Sequence, residues 1–130
     1  MKEAYCSYEI SKLIKEKGFD WTCISYYVDY EPNDVKYSML FEDNTTWEER
    51  CCSAPTHQMA CAWLRERNIG IVPEIHTTQD PKNYYWSAYI FYLNKPWDIL
   101  HYVSEPSKNV IDGYNSVIEQ ALKYTLENLI

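Results

Sequence analysis

Apolar positions recur at helical spacing in three stretches of this chain, and between them lie runs of aromatic and β-branched residues. Ile10, Leu13 and Ile14 form a narrow apolar stripe, which predicts a helix from Tyr8 to Lys17. Ser7 suits its N-cap, the lysines Lys12, Lys15 and Lys17 suit the negative end of the helix dipole, and Gly18 suits the stop. Trp21 to Tyr30 and Val35 to Phe41 read as a hairpin across the turn Glu31-Pro32-Asn33-Asp34, followed by a polar loop over 42–46.

A second helix is expected after Ser53-Ala54-Pro55, with Ser53 as the cap and Pro55 in the first turn. Met59, Ala60, Trp63 and Leu64 line its apolar face, and Gly70 follows its solvated end. Ile69 to Thr77 reads as a strand in which Pro73 demands an edge or a bulge. A turn over 79–83 leads to Tyr84–Leu93, whose near-continuous aromatic and aliphatic run predicts a strand covered on both faces. Ile99–Val103, bracketed by Pro96 and Pro106, is a further short strand candidate. Ile118, Ala121, Leu122, Thr125 and Leu129 then make a closing amphipathic helix from Asn115 to Leu129. The order α-β-β-α-β-β-(β)-α predicts an α+β fold: one two-layer domain over residues 1–130, a mostly antiparallel sheet with helices on one face.

Composition sharpens this picture. At 130 residues and 46% hydrophobic, the chain has material for one core and too much for a disordered segment. With 12 basic against 19 acidic residues and no basic cluster, a phosphate-gripping surface cannot be built, so nucleic acid and anionic membrane surfaces are excluded as partners. The odd count of five cysteines and the absence of an apolar leader after Met1 predict free thiols in a reducing cytoplasm.

Four features could carry chemistry. Cys52, His57 and Cys61 are metal-ligand candidates, because residues four apart share a helical face and Cys51 or Cys52 lies just upstream; no CxxC pair accompanies them. The same Cys52 and His57, with His76 or His101 brought in by the fold, could form a thiol–imidazole nucleophile, although no local catalytic signature surrounds any cysteine. Residues 29–49 carry a local net charge of −6, and Glu42, Asp43, Glu48 and Glu49 are candidates for steering a basic partner. The 13 tyrosines and 5 tryptophans could leave an aromatic strip on an open sheet face, with Tyr85 and Tyr89 as the candidates for contact with a protein partner or a second copy. The glycine-rich loops that hold nucleotide or dinucleotide cofactors are missing, so no cofactor is expected.

The stretch from Tyr8 to Phe19, Ser53-Ala54-Pro55-Thr56-His57-Gln58-Met59-Ala60 running into Trp63-Leu64-Arg65-Glu66, and the closing Ala121 to Leu129 together resemble a family of short uncharacterised proteins from gut Bacteroidales and their phages or integrated elements. The resemblance implies a bacterial, phage-associated setting and an accessory protein that binds a host protein. It carries no functional residue. The composition and the resemblance together predict a non-enzymatic binding module, with a Cys/His metal protein or thiol enzyme as the alternative.

Overall fold

A computed structural model describes residues 4–77, 84–106 and 110–130. The expected turn over 79–83 lies outside the described residues. The chain runs α1 (Tyr8–Glu16), β1 (Cys23–Val28), β2 (Lys36–Glu42), β3 (Cys51–Ser53), α2 (His57–Arg65), β4 (Ile69–Thr77), β5 (Tyr84–Tyr92), β6 (Ile99–Pro106) and α3 (Val110–Asn128). This is an α+β fold with antiparallel pairing throughout its strands. The strands form two three-stranded sheets, β2-β1-β3 and β4-β5-β6, where the sequence suggests one.

Local chemistry sets most boundaries. Ser7 caps α1 by accepting from the Ile10 N–H, and Gly18 leaves the helix in the left-handed region at φ +94°, which costs a residue without Cβ nothing. The cap of α2 is Thr56, not Ser53: its hydroxyl accepts from the Met59 N–H. Ser53 instead belongs to β3, a three-residue strand paired with β1 through Tyr26–Ser53, Tyr27–Cys52 and Val28–Cys51. The chain leaves α2 through Asn68, itself left-handed at φ 68° and tied to Asn94 by two hydrogen bonds. Gly70 does not stop the helix; it lies inside β4 opposite Phe91, where a Cβ would meet the Phe91 ring at 2.8 Å.

The main core gathers Ile10 and Ile14 of α1, Phe19 after it, Ala60, Trp63 and Leu64 of α2, Ile69, Ala88 and Ile90 of the second sheet, and Val117, Ile118, Ala121, Leu122 and Leu126 of α3. Helix α3 lies on the face of β4-β5-β6 that carries Ala88 and Ile90, as the amphipathic stripe requires. A smaller cluster of Tyr27, Cys52 and Ala54, with Tyr8 and Val35 against it, closes the first sheet. Strand β4 is an edge, which accommodates Pro73. No helix among the described residues is long and apolar enough to cross a membrane.

Candidate functional site

Two parts of the molecule depart from a plain core-and-surface arrangement. The first is a polar cluster where three elements meet. Residues just before α1 run antiparallel to the entry of α2: Tyr5 bridges Thr56, the Cys6 N–H donates to the Pro55 carbonyl at 2.8 Å, and the His57 N–H donates to the Ala4 carbonyl at 2.9 Å. This pairing fixes Cys6 beside His57, and α3 brings Glu119 against both. One ligand atom from each of Cys6, His57 and Glu119 lies within 4.8 Å of the others, and this is the only such trio of His, Cys, Asp or Glu among the described residues.

Hydrogen bonds hold the cluster. His57 Nε2 meets Glu119 Oε1 at 2.7 Å. Glu119 also accepts from the Ser7 N–H at 2.9 Å and from the Ser7 hydroxyl at 2.8 Å. The Tyr27 hydroxyl donates to the Cys6 carbonyl at 2.7 Å. A carboxylate only accepts, so Nε2 carries the hydrogen facing Glu119. His57 Nδ1 is then left buried with no hydrogen-bond partner among the described residues, an arrangement that is uncommon for a buried polar atom. The cluster opens on one side into a cleft of about 440 Å³ lined by Ala4, Tyr5, Ser7, His57, Ser116 and Glu119 among others. The Cys6 thiol is fully buried, and burial, followed by the Glu119 charge, pushes its pKa well above the ordinary thiol value.

The structure thus keeps His57 from the metal-ligand trio read in the sequence and surrounds it with other partners. Cys52 sits in β3 within the smaller cluster, and Cys61, although one helical turn from His57, packs against the main core. Burial pushes the thiols of both up to about 11, so neither offers a thiolate near neutral pH. His76 and His101 do not approach Cys52 either: His76 stacks on Tyr85 in the second sheet, and His101 lies flat on Tyr124 at 3.6 Å. Cys6 and Glu119 were missed because neither stands in a local motif; they meet His57 only through long-range packing.

The second departure is β2. It is the outer strand of its sheet, and its register against β1 jumps, so that the stretch Ser38–Phe41 is spliced in between two paired positions. Met39 is fully exposed there, with Leu40 at 70% and Phe41 at 75%. The acidic candidates flank this bulge. After burial, Glu48, Asp29 and Glu42 raise the Cys51 thiol, opposed by Lys15, whose ammonium donates to the Cys51 carbonyl at 2.8 Å. Glu48 and Glu49 are exposed. Asp43 is engaged within its own loop, accepting from the backbone and hydroxyl of Thr45, and these bonds lower its pKa.

Tyr85 and Tyr89 point away from α3 on the open face of β4-β5-β6, each half-buried by its own neighbours: Tyr85 by His76 and Tyr89 by Tyr102, whose ring centroid is 5.1 Å away. Comparison of the chain with family models, with curated proteins and with solved structures finds no match.

Proposed function

We propose that this protein is a non-enzymatic binding module whose β2 bulge docks into an apolar pocket of another protein, with the surrounding carboxylates meeting a basic rim. The observation that carries this reading is the run Met39-Leu40-Phe41, three consecutive apolar side chains left in solvent on an edge strand. Isolated apolar residues on a surface are ordinary, but a contiguous set on an unpaired edge is a liability that a monomer normally suppresses. Glu42, Glu48 and Glu49 supply the polar rim and the attraction to Lys and Arg on the partner. A second copy is the poorer occupant, since it would set one acidic rim against another in a chain of net charge −7.

The five free thiols support a reducing, cytoplasmic setting, and the Bacteroidales and phage resemblance points to a host protein as the partner. The open aromatic face around Tyr85 and Tyr89 is the secondary surface, because those rings are already half-covered by their neighbours.

The test is a pull-down from bacterial lysate with three baits: the native chain, a Leu40→Asp/Phe41→Asp variant, and a variant with Glu42, Glu48 and Glu49 changed to Gln. A stoichiometric partner captured by the native chain, lost with the first variant and weakened with the second, is expected. Full retention of that partner by the Leu40→Asp/Phe41→Asp bait would refute the docking surface.

A further inference from the structure

We infer that Cys6, His57 and Glu119 form a binding site for a divalent transition metal of the zinc type, with an open coordination position facing the cleft beside α3. The donor set carries the argument. A sulfur from the segment before α1, an imidazole nitrogen from α2 and a carboxylate oxygen from α3 lie within 4.8 Å of one another, a span that a single ion can bridge with small side-chain movements. Borderline-soft ions such as Zn2+ accept this mixture, whereas Ca2+ and Mg2+ require oxygen throughout.

The imidazole nitrogen that faces the carboxylate is Nε2, 2.7 Å from Glu119 Oε1. An ion held between the two takes the Nε2 lone pair in place of the hydrogen they now share, and that hydrogen shifts to Nδ1.

The surroundings are organised as a metal site requires. The backbones of Cys6 and His57 are fixed by the pairing of residues 4–6 with residues 55–57. Ser7 holds the Glu119 carboxylate from its backbone N–H and its hydroxyl, the kind of outer contact that sets ligand orientation. Three protein ligands leave a fourth position, and the cleft lined by Ser116, Tyr5 and Ala4 is where water or a small ligand would reach it.

The same geometry speaks against a thiol nucleophile. Cys6 is fully buried and its proton is held tightly, both unfavourable for attack on a substrate. Metal binding overcomes the second obstacle directly: the Cys6 Sγ–H proton leaves to solvent, and the sulfur lone pair so freed forms the metal–sulfur bond. The two proposals rest on different side chains, so they stand or fall independently.

The test uses the full chain, reduced and treated with chelator, then titrated with Co2+ as the spectroscopic probe. One equivalent should produce a sulfur-to-cobalt charge-transfer band in the near ultraviolet together with the intense visible bands of tetrahedral cobalt, and Zn2+ should abolish both. Cys6→Ser should remove the charge-transfer band. His57→Gln and Glu119→Gln should each weaken binding by at least about 100-fold, since even outer contacts of a metal site are worth 10- to 100-fold. Cys52→Ser and Cys61→Ser should leave the spectrum unchanged, which separates the site from adventitious thiol binding. Circular dichroism of each metal-free variant establishes that it is folded; should Cys6→Ser fail to fold, His57→Gln and Glu119→Gln decide. No charge-transfer band in the native chain, a band that survives Cys6→Ser, or affinity unchanged in both His57→Gln and Glu119→Gln would overturn the proposal.

Discussion

Ser7 holds two structures at once, and its removal gives a sharp test of how the cluster is assembled. Its hydroxyl accepts from the Ile10 N–H at 3.3 Å, capping α1, and donates to Glu119 at 2.8 Å, tying that cap to α3 112 positions away. Replacing a serine cap with alanine costs about 1 kcal/mol. A hydrogen bond to a charged group is worth about 1.5–3 kcal/mol when buried, and Ser7 is exposed, so about 0.5–1 kcal/mol is the appropriate figure here. The backbone N–H of Ser7 still reaches Glu119 in the variant. Ser7→Ala should therefore destabilise the fold by about 1.5–2 kcal/mol, or about 6 °C in melting temperature for a chain of this size.

Glu119→Ala should cost more, about 2–3 kcal/mol, because it removes three accepted hydrogen bonds and strands the buried His57 ring. Urea denaturation of the native chain, both single variants and the double variant yields the coupling. It should lie near 0.5–1 kcal/mol, the part of the Ser7 effect that acts through Glu119. Additive single effects, or a Ser7→Ala cost below about 0.5 kcal/mol of the kind an ordinary exposed substitution shows, would refute this account of the joint.

Two further outcomes follow from burial. Leu122→Ala, at a fully buried position on α3, should cost about 3 kcal/mol in urea denaturation, whereas Leu40→Ala on the exposed bulge should change stability by less than about 0.5 kcal/mol; a comparable cost at both would contradict the placement of β2. The thiols of Cys52 and Cys61 titrate near 11 in the folded chain against an ordinary 9.0, so at pH 8 native alkylation of either should run at least about 100-fold slower than in urea, read by mass spectrometry at each site. The same raised values favour the protonated thiol in the fold. Their contribution to stability is complete below about pH 9 and is lost as the pH rises towards 11. The urea midpoint should fall across that window, and less so in a Cys52→Ala/Cys61→Ala variant; equal slopes in the two proteins would show that these thiols do not titrate as described.

What the sequence determined by itself are the features that neighbouring residues decide. Ser7 and Gly18 bound α1 through a side-chain acceptor and a missing Cβ, each acting within one turn. The stripe from Ile118 to Leu129 marks the buried face of α3, and Ile69–Thr77 and Tyr84–Tyr92 declare themselves as strands through β-branched and aromatic content and a proline placed on an edge. Where two local signals competed, the tertiary context chose between them. Ser53 and Thr56 could each cap a helix, and pairing with Tyr26 drew Ser53 into β3, a strand too short to leave a periodic trace.

The division into two sheets, the exposure of Met39-Leu40-Phe41 and the convergence on His57 were decided by tertiary structure alone. Spacing along a helix favoured Cys61 as a neighbour of His57, because positions four apart share a face. The His57 ring instead meets a carboxylate 62 positions away and a thiol from before α1. Contacts of that separation depend on how α1, α2 and α3 pack about the core, and no short stretch of sequence encodes which polar side chains are trapped where three helices meet.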